Sequence, residues 1–179
     1  MIRTLATIAL AIATANPRLP AAATRSHAAV LRAHVSGTGL DPLDVVAIIW
    51  EESGWRSGAI SPDGEDVGLG QIRVRHLPGC RRDPDPVRNP GPDCRAARAS
   101  LLDPANNMRL TVQALTRWRS ICRKKVGRTD LASFLAGYGG LNSPAHNHWC
   151  GWKKSRGKWV RQPHPGVRRA LEYRRRLRA

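Results

Sequence analysis

A mostly helical fold is predicted by three observations. Apolar residues recur at helical spacing in several segments, those segments open on Asp, Ser or Pro and close on Gly, and no strand-like alternation runs beyond a few residues. The chain has 179 residues and is 41% apolar, enough for one domain with a buried core. No internal repeat is present.

The elements follow in chain order. Met1-Ile2-Arg3 is a short basic start, and Leu5 to Ala15 is uncharged and apolar, followed by Pro17, Pro20 and Ala21-Ala22-Ala23. Residues 1–23 therefore read as an export leader with small-x-small cleavage sites ending at Ala15 or Ala23; the apolar run is too short for a spanning helix. Ser26 to Gly37 reads as a short capped helix. Asp41 suits an N-cap and Pro42 the first helical position; Val45, Ile48 and Ile49 then form a stripe running to Gly54. Residues 57–70 predict an irregular loop or small hairpin, and residues 78–94 a second loop. Helical spacing returns over Cys94 to Leu102, from Asp103-Pro104 to Gly127, and over Leu131 to Tyr138. Residues 141–164 have no period, and a last helix after Pro165 carries Val167, Leu171 and Leu177 on one side.

Four cysteines fit an oxidising compartment. Cys80 and Cys94 bracket a proline-rich stretch with no periodic pattern, so a bridge there would staple the loop, which favours the pairs Cys80–Cys94 and Cys122–Cys150. His146-x-His148-x-Cys150 lacks a Cys-x-x-Cys companion, and neither a metal nor another cofactor is expected.

The formal charge of +17 is uneven. Residues 24–103 hold 10 basic and 11 acidic groups, whereas residues 104–179 hold 18 against two. Such a face suits phosphate polymers, anionic lipid or acidic wall polymer.

Helix phase singles out one acid. Glu51 lies over Asp44 on the polar side, while Glu52 lies over Val45 and beside Ile48 and Ile49. A carboxyl held against apolar side chains is disfavoured in its ionised form and can serve as a general acid; an ordinary helix-end ion pair is the alternative.

Glu52-Ser53-Gly54-Trp55, Ala59 to Gly64 and Asp66-Val67-Gly68-Leu69-Gly70-Gln71-Ile72 resemble the signature of soluble lytic transglycosylases, lysozyme-like enzymes that cut peptidoglycan. Leu102-Asp103-Pro104-Ala105-Asn106-Asn107-Met108 is similar to the family's Asp-Pro-x-x-Asn-Ile helix start, and Leu135 to Gly140 occupies the place of its Ala-Tyr-Asn-Ala-Gly segment. The resemblance covers about residues 26–140 and looks most like the small specialised members that accompany secretion, conjugation or phage entry systems. It implies an α+β, predominantly helical, lysozyme-like two-lobed domain at 24–140 with the acid at the mouth of a substrate groove. Residues 141–179 would form a basic extension packed on that domain.

By the same resemblance Glu52 matches the family's lone catalytic Glu, Ser61 a position near the substrate's acetamido group, Gln71 a residue of the cleft wall and Tyr138 the tyrosine that orients acid or substrate. The sequence departs from the family in an extra residue between Gly64 and Gly68, in Gly70 for Met and in Gly139 for Asn.

A single acid suffices if the substrate supplies the nucleophiles, through its acetamido group and then its C6 hydroxyl, giving a 1,6-anhydro product in the periplasm or outside the cell. A hydrolase of the same fold, a non-catalytic cationic wall- or membrane-binding protein, and a nucleic-acid binder using the Trp and Arg of the tail are the other readings. The Glu-Ser block and the export signal argue against nucleic acid.

Overall fold

The structure, a computed structural model, describes residues 3–140, 142 and 148–177. Seven helices lie among them: α1 (Leu5–Ala15), α2 (Ala21–Val35), α3 (Pro42–Ser53), α4 (Pro92–Ser100), α5 (Pro104–Val126), α6 (Leu131–Tyr138) and α7 (Pro165–Arg176). Strands β1 (Asp66–Val67) and β2 (Ile72–Arg73) pair antiparallel, and β3 (His148–Trp149), β4 (Trp152–Ser155) and β5 (Lys158–Arg161) form a meander in that order. The chain divides within α5 into two compact units, residues 1–111 and 112–179.

In the first unit the start and stop signals of α3 act as read. Asp41 Oδ1 accepts the Leu43 N–H at 3.0 Å, and Gly54 takes the left-handed conformation that ends the helix. Val45, Ile48 and Ile49 are fully buried. Trp55 follows with φ of 60°, uncommon for a bulky residue, and is held there by burial and by donating its indole N–H to Val46 O at 3.2 Å.

Residues expected to form a leader contribute α1, which packs on α2 and α3 through Ile8 and Ile12. Arg3 pairs with Asp41 at 3.2 Å, and the Asn16 amide donates to Trp55 O at 3.2 Å, so α1 runs in the same direction as α3 and touches both of its ends. The second helix begins at Ala21 rather than near Ser26, because three alanines after Pro20 extend it and no side-chain cap is needed.

The loop 78–94 is closed by the Cys80–Cys94 bridge and by Asp83, which accepts the N–H groups of Asp85 and Gly91. Its cysteines join Val67, Val74, Leu77 and Leu101 in a compact apolar cluster. The second bridge is Cys122–Cys150, so the favoured pairing holds.

The second unit corrects two expectations. Residues 148–161, which have no apolar period, are three strands joined by two-residue turns at Cys150-Gly151 and Arg156-Gly157, all four with positive φ. On α7 the buried stripe is Gly166, Ala170, Tyr173 and Arg174, flanked by half-buried Val167, Leu171 and Leu177. His146 and the other residues of 143–147 lie outside the described residues.

Candidate active site

The acid stands at the end of α3. Its stripe of fully buried aliphatics puts the Glu52 side chain, four residues after Ile48, among groups that cannot solvate a charge. Burial, then the charges of Glu51 and Asp66, push its carboxyl up to about 7. That value suits a group that donates a proton near neutral pH and accepts one back.

Asp66 reaches this environment from β1. The hairpin carrying it is fixed to α5 by Asn107, a fully buried residue of the Asp-Pro-x-x-Asn block. Its amide Nδ2 donates to Val67 O and to Leu101 O, both at 2.9 Å, and its Oδ1 accepts the Gly70 N–H at 2.8 Å. Thr111, one turn on, donates its hydroxyl to Asn107 O at 2.9 Å. The approach is so close that only glycine fits. A Cβ on Gly68 would collide with the Asn107 amide, and one on Gly70 with the Thr111 side chain. The substitution of Gly70 for the family's Met is therefore a matter of space beside α5.

Ser61 and Gln71 are both engaged in shaping this loop. The Ser61 hydroxyl donates to Asp63 Oδ1 at 2.5 Å and accepts the Asp66 N–H at 2.9 Å. Gln71, at φ of 49°, donates its Nε2 to Ala59 O at 3.2 Å and Gly68 O at 2.9 Å. The remaining acids of the loop are also occupied. Asp66 takes a two-nitrogen contact from Arg73 at 3.2 and 3.4 Å, Glu65 pairs with Arg75, and Asp63 caps the loop, its carboxyl lowered by the Ser61 hydrogen bond. Glu52 differs from Asp63 in direction: its carboxyl is raised, with burial the largest cause.

A family model, the transglycosylase SLT domain, matches residues 30–156. The chain belongs to the transglycosylase SLT family. Searches of curated proteins and of solved structures returned no match. The SLT match spans α2 to β4 and so takes in the acid, the Asn107 clamp and most of the meander. It carries the predominantly helical α+β, lysozyme-like fold and a glycan-cleaving activity on peptidoglycan.

Glu52, Ser61 and Gln71 share the first unit, and Tyr138, half-buried at the end of α6, belongs to the second. Where the family's Asn follows the tyrosine, this SLT domain has Gly139, and its Asn142 instead ties α6 to the turn after β3. Asn142 donates to Gly137 O and accepts the Cys150 N–H, each at 2.9 Å. Asn107 and Thr111 were not among the residues assigned a role by sequence, although the block containing Asn107 was visible there. Among the described residues no three His, Cys, Asp or Glu converge as metal ligands, and all four cysteines are in disulfides.

The raised carboxyl has a thermodynamic sign. Below pH 4.5 Glu52 is protonated in both folded and unfolded chains and imposes no penalty; above about 7 it is ionised in both, and burying the charge costs about 3 kcal/mol. Glu52→Gln should therefore gain stability over the wild type as pH rises from 4.5 through 7, and then hold that gain. Urea melts at intervals across this range check it, and a difference that does not change with pH would contradict the burial argument.

Proposed function

We propose that this SLT domain is a lytic transglycosylase in which Glu52 alone acts first as acid and then as base. The observation that carries the proposal is the half-buried Glu52 carboxyl raised to about 7, beside loop acids already paired with arginine or used as a cap. Glu52 protonates the glycosidic oxygen between N-acetylmuramic acid and N-acetylglucosamine. The muramyl acetamido group then stabilises the electron-poor anomeric carbon, and the Glu52 carboxylate removes the proton from the C6 hydroxyl as that oxygen bonds to C1. The glycosidic bond breaks, a 1,6-anhydro ring forms, and the proton gained by the leaving sugar is balanced by the one taken from C6. Ser61 and Gln71 contribute to substrate binding through the loop they hold, and Tyr138 contributes to substrate binding as well.

A raised acid beside loop carboxylates that are already paired or used as caps favours this route over hydrolysis, which ordinarily uses two carboxylates. Digestion of purified sacculi tests it. Anhydro-muramyl ends are expected by mass spectrometry, with turnover abolished in a folded Glu52→Gln variant. Reducing muramyl ends alone, or an active Glu52→Gln enzyme, would overturn the assignment.

We further place the protein in the periplasm or outside the cell, in the service of a secretion, conjugation or phage entry machine. Residues 1–23 are its leader, 24–140 its catalytic core and 141–179 its basic extension. The disulfides suit that compartment, and no helix among the described residues is long and apolar enough to cross a membrane. The intact mass of the exported protein tests the leader. A chain beginning after Ala15 or Ala23 is expected; a chain that still carries Arg3 would make α1 a permanent brace of α3.

A further inference from the structure

Sequence pattern suggests that the tail's tryptophans offer faces for sugar stacking, but two of these rings are already engaged by cations. Arg128 and Arg161 place their guanidinium carbons 4.9 and 4.7 Å from the Trp152 ring centre, and Lys125 Nζ lies 4.9 Å from the Trp149 ring. These contacts rest on a rigid base. The Trp152 indole donates to the Ser133 hydroxyl at 2.9 Å, which donates to Asp130 Oδ2 at 2.9 Å, while Asp130 Oδ1 accepts from Arg161 at 2.8 Å. The Cys122–Cys150 bridge fastens the turn between the two tryptophans to α5.

Charge is unbalanced at this point. Residues 112–179 hold 17 basic groups and only two acids, and both acids are taken, Asp130 by Arg161 and Glu172 by Arg176. Lys125 and Arg128 are exposed and have no acid partner among the described residues. Long cationic side chains normally lose much rotamer freedom when they grip an anion; a ring beneath them removes part of that loss beforehand.

We propose that Lys125 and Arg128, shelved on Trp149 and Trp152 beside the Asp130-paired Arg161, form a preorganised site for the carboxylates of peptidoglycan stem peptides. The guanidinium fork matches a carboxylate in two parallel hydrogen bonds, and stacking on the indole leaves the edge of the fork available to it. Rings covered by cations are poor platforms for nucleic-acid bases, which favours an acidic peptide over a single strand. The site holds the polymer and takes no part in bond cleavage; it rests on peptidoglycan being the substrate, but not on the transglycosylase route.

Co-sedimentation of the full chain with purified sacculi tests it, comparing native sacculi with sacculi whose carboxyls have been amidated, and using duplex DNA as a competitor. Lys125→Gln with Arg128→Gln should weaken binding to native sacculi about tenfold and flatten its salt dependence. Amidation should weaken the wild type to a similar extent, with no further loss in the variant. Cleavage of soluble glycan chains stripped of their stem peptides should be unchanged, which also reports that the variant is folded. Unchanged binding by the variant, or equal binding of amidated and native sacculi by the wild type, would overturn the site. Tighter binding to DNA, lost in the same variant, would overturn the choice of partner. Sedimentation needs no turnover, so these outcomes are read independently of whether Glu52 cuts by transglycosylation.

Discussion

The loop that carries Asp66 depends on one buried amide. Asn107 joins three backbone groups that come from β1, from the turn after it and from the segment before α5, and it does so with both ends of its side chain. Each of those groups would be buried and unsatisfied without it, at a cost of about 1–3 kcal/mol apiece. The close approach it enforces explains why Gly68 and Gly70 flank Leu69, and why the turn reaches Gln71 in a left-handed conformation. Asp66 and its hairpin are held by the same clamp, so the charge that helps to raise Glu52 is delivered by α5 at a distance from the acid's own helix.

Electrostatics divides along the chain much as the compact units do. Residues 1–111 carry 13 basic and 11 acidic groups, and within them Asp66 pairs with Arg73 and Glu65 with Arg73 and Arg75, while Glu51 adds its charge beside Glu52. That matching leaves a negative environment strong enough to oppose ionisation of Glu52 without giving it a cationic partner that would restore a low value. Residues 112–179 have the opposite problem, 17 cations against two acids, and solve it in part by laying cations on indole rings. A family that cleaves an acidic polymer can use both: a protonated acid for the chemistry and cations for retention.

Much of this was legible in the sequence where local rules decide the outcome. The Asp41-Pro42 start and Gly54 stop fixed α3, and the helical phase turned Glu52 and not Glu51 toward the aliphatic stripe. The loop-stapling argument selected the observed disulfides. What escaped depends on contacts between distant residues. Nothing local distinguishes Asn107 from Asn106 beside it, since one meets Val67 and Gly70 and the other the Ser100 carbonyl. The meander at 148–161 carries lysines on both faces, which erases the alternation expected of a half-buried strand; its only local signals are the two turns ending in Gly151 and Gly157. Ser61 has a visible local partner in Asp63, and the structure uses its hydroxyl as a loop cap.

The account stands on Glu52 being raised toward physiological pH because it is half-buried at the end of α3, with the charges of Glu51 and Asp66 adding to the effect. Carbon-13 NMR titration of the glutamate side-chain carboxyls, with the Glu52 signal assigned by its loss in Glu52→Gln, measures this directly. A midpoint near 7 is predicted. A midpoint in the ordinary carboxylate range, about 4–5, would contradict the central claim.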